Sequence, residues 1–209
     1  MPVMLLAAGP KIPRGAPICA RPGTTPVFLS PMGEPFRAEA GKPYPSVVWF
    51  AGADKNHDGV VTHDEMVADA LRFFDELDVN HDGKLTPDEV GAYESVIAPE
   101  TSIYSPRPDD YLDRRRRDGG AMADSRDYGG AMGAGRYSWL NIPEPVVAAD
   151  QDVDRVITRD EFATAAAAAF QRLDVLDRKQ LRLQDLPRTP AQIALEGPCR
   201  PPKKRKDDE

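Results

Sequence analysis

Cysteine and aromatic residues are scarce in this chain of 209 residues. The two cysteines, Cys19 and Cys199, are too few for the disulfide framework that stabilises many small secreted proteins. We expect two unpaired thiols, and the alternative is a single disulfide between the termini in an oxidising compartment. Aromatic residues make up 7% of the chain, whereas glycine and proline number 16 and 21. A good share of the sequence is therefore expected to be turn or irregular structure.

Long hydrophobic runs are also missing. No stretch approaches the roughly 20 apolar residues that a membrane-spanning helix needs, so we expect no membrane span. The apolar segment 3–9 is short and has no basic residues before it. It is either the end of a signal peptide that begins upstream or an unstructured terminus. The first alternative implies a periplasmic or secreted protein, and the second a cytoplasmic one.

The formal net charge is −7, and the acidic residues are concentrated in a few short stretches. This distribution favours cation binding and gives no support to a nucleic-acid partner. Arg114–Arg117 is the one strongly basic run before the C-terminal tail, and aspartates flank it. That mixture is typical of a solvated linker rather than a lipid or nucleic-acid site. Since no nucleophile–base pair, phosphate-binding glycine loop or catalytic metal motif is visible, we expect no enzyme.

Two twelve-residue stretches, Asp54–Glu65 (loop 1) and Asp78–Glu89 (loop 2), match the pattern D-x-[DN]-x-[DN]-G-x5-E in full. Such a loop offers calcium oxygen ligands from positions 1, 3, 5, 7, 9 and 12, and glycine at position 6 allows the positive φ of a sharp turn. Ordinary turns followed by helix caps are the alternative, but two complete matches argue against it. The predicted calcium ligands are Asp54, Asn56, Asp58, the Val60 carbonyl, Thr62 and Glu65 in loop 1, and Asp78, Asn80, Asp82, the Lys84 carbonyl, Thr86 and Glu89 in loop 2.

The first half of the chain is repeated 96 residues later, which indicates an internal duplication. The repeat places Asp150–Glu161 (loop 3) on loop 1 and Asp174–Asp185 (loop 4) on loop 2. Loop 3 keeps the acidic residues Asp150, Asp152, Asp154 and Glu161, but Arg155 occupies the turn position. It is either a weak third calcium site or a structural loop whose arginine neutralises the carboxylates, and we favour the second reading. Loop 4 carries Leu176 and Arg178 at ligand positions and Lys179 at the turn, so we expect no calcium there.

The histidines His57, His63 and His81 all lie in or beside loops 1 and 2. A zinc site is one interpretation of this clustering. Positions 4 and 10 of calcium loops face solvent, however, and no cysteine or second histidine stands at zinc-ligand spacing. We therefore predict solvated histidines.

The spacing of the loops restricts their geometry. Only twelve residues separate Glu65 from Asp78, enough for one helix shared by both loops. Such a helix, over residues 63–77, would be about 22 Å long. The two loops then lie at opposite ends of it and cannot pair with each other. We predict that the two halves pack antiparallel around a pseudo-two-fold axis, with Val61 paired to Leu181 and Leu85 paired to Ile157.

These observations predict an all-α fold of two duplicated loop–helix–loop units, joined by short strand pairs between loops. The predicted organisation is an irregular N-terminal segment (1–45), a first unit with two intact loops (46–98), a flexible Gly- and Arg-rich linker (99–136), a second unit with degenerate loops (137–196) and a charged tail (197–209).

With these residues in view, the chain resembles the calmodulin-like EF-hand superfamily, and more narrowly bacterial EF-hand domain proteins built from loop, single helix, loop units. Residues 49–89, 135–147 and 150–173 carry the resemblance. It implies calcium binding and leaves the purpose open. A structural or buffering role is one expectation, and a sensor that exposes an apolar surface to an unidentified protein partner is the other. Sensors tend to have Met-rich grooves, and Met66 is the clear methionine on the helical faces, which favours the first.

Overall fold

A computed structural model describes residues 25–39, 42–101 and 130–196 of the chain. The two longest helices in these ranges are α2 (His63–Leu77) and α4 (Arg159–Leu173), of 15 residues each. Each begins with a capping box, because the threonine before the helix and the glutamate three residues later bond each other's backbone N–H. The single helix predicted between loops 1 and 2 is confirmed. None of the described helices is both long and apolar enough to span a membrane.

Two short antiparallel strand pairs connect the halves. The strands are β3 (Val61–Thr62), β4 (Lys84–Leu85), β5 (Ile157–Thr158) and β6 (Gln180–Leu181). Strand β3 pairs with β6, placing Val61 opposite Leu181, and β4 pairs with β5, placing Leu85 opposite Ile157. Both predicted pairings are confirmed, so loop 1 lies beside loop 4 and loop 2 beside loop 3. Because β3 precedes α2 and β6 follows α4, the two helices run antiparallel.

The centre of the core lies between α2 and α4. Phe74 and Phe162 are fully buried and their ring centroids are 5.5 Å apart. The Arg159 guanidinium lies 5.8 Å from the centre of the Phe74 ring and pairs with the Asp75 carboxylate. A cation over an aromatic face adds a modest attraction to this packing.

Shorter helices flank loops 1 and 2. Helix α1 (Ser46–Ala53) enters loop 1, and α3 (Pro87–Ala92) leaves loop 2 and continues as a π-helical turn over Tyr93–Ile97. Tyr93 is buried, whereas Val96 is 76% exposed. The N–H of Ala98 bonds the carbonyl of Tyr93 five residues back, and this wider turn places Val96 off the buried face.

The segment before α1 is not wholly irregular. Strands β1 (Val27–Leu29) and β2 (Pro35–Arg37) form an antiparallel hairpin. Its residues Phe28 and Leu29 are fully buried in the common core. The prediction of an irregular N-terminal segment is therefore wrong over 27–37, and the fold is helical with a β-hairpin added to it. A three-residue strand among prolines and glycines has too little periodicity to be detected in the sequence.

The chain re-enters the core before loop 3. A 3-10 turn over Gly133–Arg136 buries Ala134 and Gly135, and a second 3-10 turn spans Val147–Ala149. The predicted flexible linker therefore ends before residue 136, because small residues there pack closely: a Cβ on Gly133 would lie 2.4 Å from the Pro143 carbonyl oxygen. The stretch 137–147 packs on the core through Tyr137, Trp139, Leu140 and Val146. Residues 102–129, the two cysteines and the charged tail lie outside the described residues.

A last helix, α5 (Pro190–Glu196), follows loop 4. The buried Thr189 before it shares a hydrogen bond with the Tyr44 hydroxyl, 2.7 Å between the two oxygens. That hydroxyl also lies 2.5 Å from the Val27 carbonyl oxygen, to which it donates. This buried cluster ties the hairpin to the C-terminal part of the second unit.

Glu144, just before the second 3-10 turn, carries a buried carboxylate oxygen without a hydrogen-bond partner among the described residues. Burial and the negative charge of Glu94 raise the pKa of Glu144 to about 7 from its ordinary 4.5. The folded protein therefore holds a proton here at pH values where the unfolded chain has lost it. This stabilisation is present below pH 4.5 and is lost as pH rises towards 7.

We expect the free energy of unfolding of the calcium-free protein to fall by about 1–2 kcal/mol between pH 5 and 8, after allowance for screening by solvent. Urea denaturation at several pH values in the presence of a chelator would measure it. In Glu144→Gln this part of the pH dependence should disappear, because the amide is neutral throughout. An unchanged slope in the variant would show that other groups cause it.

Candidate metal centre

In loop 1 the backbone wraps around the first predicted ligand. The Asp54 carboxylate accepts hydrogen bonds from the N–H groups of Asp58, at 3.2 Å, and Gly59, at 2.9 Å. The Asn56 side chain accepts from the Asp58 N–H at 3.0 Å and donates to the Asp58 carboxylate at 2.9 Å. Asp54 is 5% exposed because α1 ends against the core immediately before it. The first three predicted side-chain ligands therefore lie together on the inside of one turn.

Glu65, at position 12, closes the loop from the first turn of α2. One carboxylate oxygen accepts from the Lys55 N–H at 3.1 Å, and the other accepts from the Thr62 N–H at 2.9 Å and the Thr62 hydroxyl at 2.8 Å. The bonds from Thr62 hold the pKa of Glu65 below its ordinary value. Its carboxylate is therefore ionised at neutral pH and already turned towards the other predicted ligands.

Loop 2 repeats this arrangement. The Asp78 carboxylate accepts from the N–H groups of Asp82, at 3.1 Å, and Gly83, at 2.8 Å. Glu89 accepts from the Val79 N–H at 3.1 Å and the Thr86 N–H at 2.9 Å. Desolvation pushes the pKa of Glu89 up, but the hydrogen bonds from Thr86 outweigh it and the pKa lies below its ordinary value. Both loops thus offer ionised carboxylate, amide, hydroxyl and carbonyl oxygens, the donor set of a hard cation such as calcium.

All four loops share one backbone conformation. The predicted positive φ at position 6 is present in each, and a second positive φ occurs at position 4. The residues at position 4 are His57, His81, Val153 and Asp177, with φ between 51° and 62°, and those at position 6 are Gly59, Gly83, Arg155 and Lys179, with φ between 58° and 85°. Loops 3 and 4 keep the shape although they lost the glycine, because their first aspartate still accepts the N–H groups of positions 5 and 6.

Loop 3 brings three carboxylates together. Ligand atoms of Asp150, Asp152 and Asp154 lie within 4.8 Å of one another. Desolvation and the neighbouring negative charges raise the pKa of Asp152. No direct ion pair joins the Arg155 guanidinium to these three described carboxylates. Arg155 is exposed, and neutralisation of the carboxylates by its charge stays a prediction.

Loop 4 contains its own cations. The Arg178 guanidinium, at position 5, donates to the Asp185 carboxylate, at position 12, at 3.1 Å. The Lys179 ammonium pairs with Asp177. A positive side chain therefore stands at position 5, where loops 1 and 2 carry an aspartate. The absence of calcium from loop 4 stays a prediction.

The three histidines lie on the surface. His57 and His81 are exposed at position 4 of their loops, and His63 is exposed with its ring 5.6 Å from the Phe170 ring and its Nδ1 2.9 Å from the Asp64 carboxylate. Within the described ranges, the acidic cluster whose ligand atoms lie within 4.8 Å of one another is that of loop 3, and it includes no histidine.

The site has a polar support that the sequence did not reveal. Asp69, on the buried face of α2, accepts from the Trp49 indole N–H at 2.8 Å and from the Arg72 guanidinium at 3.0 Å. Arg72 in turn donates to Glu34 of the hairpin at 2.5 Å. Burial raises the pKa of Glu34 although Arg72 opposes it. The available signal was weak: an aspartate at helical spacing between Met66 and Phe73 on an otherwise apolar stripe.

Comparison with known proteins agrees with this site. The EF hand family model matches residues 47–68 and 72–92, together about a fifth of the chain. These ranges cover loop 1 and loop 2 with their flanking helices, so the match supports an EF-hand domain protein and calcium binding. No curated protein matches this chain. No solved structure matches it either.

Proposed function

We propose that this protein binds two calcium ions, one in loop 1 and one in loop 2, and that calcium acts as a structural clamp or is buffered. The main observation behind this proposal is that the acidic side chains of both loops are already arranged for binding a cation. In each, the position-12 glutamate already spans the loop, from the N–H of position 2 to the N–H of position 9. Little reorganisation is then needed on binding, which is the behaviour of a buffer or clamp rather than of a sensor that opens.

The burial of the methionine on α2 supports the same reading. Met66 is 2% exposed, so it belongs to the core and forms no open groove. Exposed apolar residues occur both on the loops (Val79, Val153, Val175 and Leu176) and on helices (Val47, Val48, Val96 and Ile193), so their distribution favours neither role. The proposed role includes no catalysis. A calcium sensor with a protein partner is the alternative that the experiment below tests.

Loop 3 is proposed to bind calcium more weakly than loops 1 and 2. Its three aspartates converge, but Arg155 holds a positive φ of 70° without being glycine. A side chain in that conformation costs about 1 kcal/mol, and its positive charge stands near the site. At calcium concentrations that fill the first two loops, we expect loop 3 to be largely empty.

Calorimetric titration of the calcium-free protein should therefore show two sites. Binding of a dye for exposed apolar surface should stay constant or fall, and the melting temperature should rise, because calcium binds the folded state. Two sites with increased dye binding would favour the sensor. Three sites of similar affinity would overturn the assignment of loop 3, and the absence of binding would overturn the proposal as a whole.

A further inference from the structure

We propose that the hairpin Val27–Arg37 is an intramolecular binding partner of the first EF-hand unit, and that its docking on this unit strengthens calcium binding at both loops. The inference rests on the proposed function and goes beyond it, because it assigns control of both sites to a segment that contains no calcium ligand.

The hairpin contacts α1, α2 and the π-helical turn that follows α3. Phe28 packs 6.1 Å, between ring centroids, from Trp49 of α1, which enters loop 1. Glu34 pairs with Arg72 of α2, the helix between the loops. The Tyr93 hydroxyl, from the turn after α3, donates to the Gly33 carbonyl at 2.8 Å. One short segment is thus bonded or packed to the elements before, between and after the two sites.

The hairpin backbone approaches the Tyr93 hydroxyl closely at Gly33. Gly33 has a φ of +94°, and a Cβ there would lie 2.4 Å from the Tyr93 hydroxyl oxygen. Farther along, Arg37 donates to both oxygens of the Glu100 carboxylate, at 2.8 and 2.7 Å, and to the Ile97 carbonyl at 2.8 Å. These bonds fix the hairpin against the end of the first unit at several points.

The flanking helices carry the ligands directly. Asp54 follows the last residue of α1, Glu65 lies in the first turn of α2, and Asp78 follows the end of α2. Binding calcium therefore fixes the position of α1 relative to α2 and of α2 relative to α3. The docked hairpin fixes the same relative positions. Calcium binding and hairpin docking favour the same arrangement of the helices. Each therefore increases the affinity of the other, and by the same factor.

The conformation of loops 1 and 2 indicates whether hairpin docking strengthens or weakens calcium binding. With the hairpin docked, Glu65 and Glu89 are already drawn across their loops by hydrogen bonds to positions 2 and 9. The docked arrangement is therefore the one in which the acidic ligands are gathered. Undocking should weaken calcium binding rather than strengthen it.

The test compares two variants of the full chain. Each replaces one glutamate that pairs with Arg72 by neutral glutamine. Arg72 pairs with Glu34 of the hairpin and, at 2.7 Å, with Glu76 one turn along α2. Glu34→Gln loosens the hairpin, whereas Glu76→Gln leaves it in place. We expect the calcium affinity of both sites to fall about fivefold or more in Glu34→Gln, the usual lower range of coupling between sites. Glu76→Gln should change it less than twofold.

Competitive chelator titration measures the affinities, and circular dichroism confirms that each calcium-free variant is folded. Should Glu34→Gln fail to fold, Tyr93→Phe, which removes only the hydroxyl bonded to Gly33, takes its place and should also weaken both sites. Equal affinities in the Glu34 and Glu76 variants would overturn the coupling while leaving calcium binding intact. A wild-type protein that binds no calcium would instead overturn the proposed function, and this inference with it.

Discussion

Exchanging both Glu65 and Glu89 for glutamine is expected to abolish calcium binding, and either exchange alone to remove one of the two sites. The position-12 glutamate supplies calcium with two oxygens and a full negative charge, whereas glutamine offers one oxygen and no charge. Loss of a charged ligand from a calcium site costs about 2–5 kcal/mol, roughly 30- to 5,000-fold in affinity. Glutamine can still accept the N–H bond from the threonine of the capping box, so the helices should remain formed.

Asp64→Asn and Asp88→Asn are the matched controls. Each removes one negative charge next to a position-12 glutamate, from an exposed residue in the same helical turn. Calorimetry should find two sites in both controls and one site in each single glutamate variant. If Glu65→Gln kept two sites of wild-type affinity, loop 1 would not be the calcium site that we propose.

Truncation of Phe162 to alanine is expected to lower the free energy of unfolding by about 3–5 kcal/mol, the usual cost of removing a buried aromatic ring. Phe162 is fully buried against Phe74 where α2 meets α4. The loss is large because these two helices hold the halves together, and both strand pairs depend on their alignment. Urea denaturation in the presence of a chelator measures it without the contribution of calcium.

Val175→Ala, at a position that is 84% exposed and has no positive φ, is the control for this truncation and should change stability by less than about 0.5 kcal/mol. Phe162→Leu should lie between the two, because it keeps most of the buried volume. A loss below 1 kcal/mol for Phe162→Ala would mean that the two units are stable apart and that their contact contributes little.

Features that depend on residues within a dozen positions of one another were predictable from the sequence alone. The ligand pattern of loops 1 and 2 and the positive φ at position 6 depend on residues at most eleven positions apart. The single helix over 63–77 followed from the same short spacing. Even the pairing of Val61 with Leu181 was accessible, because one straight helix makes pairing between loops 1 and 2 impossible and the repeat supplies the partners.

Other features were decided by tertiary packing. The hairpin has strands of three residues, and its stability comes from burying Phe28 and Leu29 under helices that lie far away in sequence. The Trp49–Asp69 bond and the Arg72–Glu34 pair likewise involve charged residues whose types suggest exposed surface, and Asp69 needs its partners because the core around it excludes water. The sequence by itself therefore determined which loops carry the calcium-binding pattern. Only the fold determined what braces them, because burial depends on neighbours that no local pattern specifies.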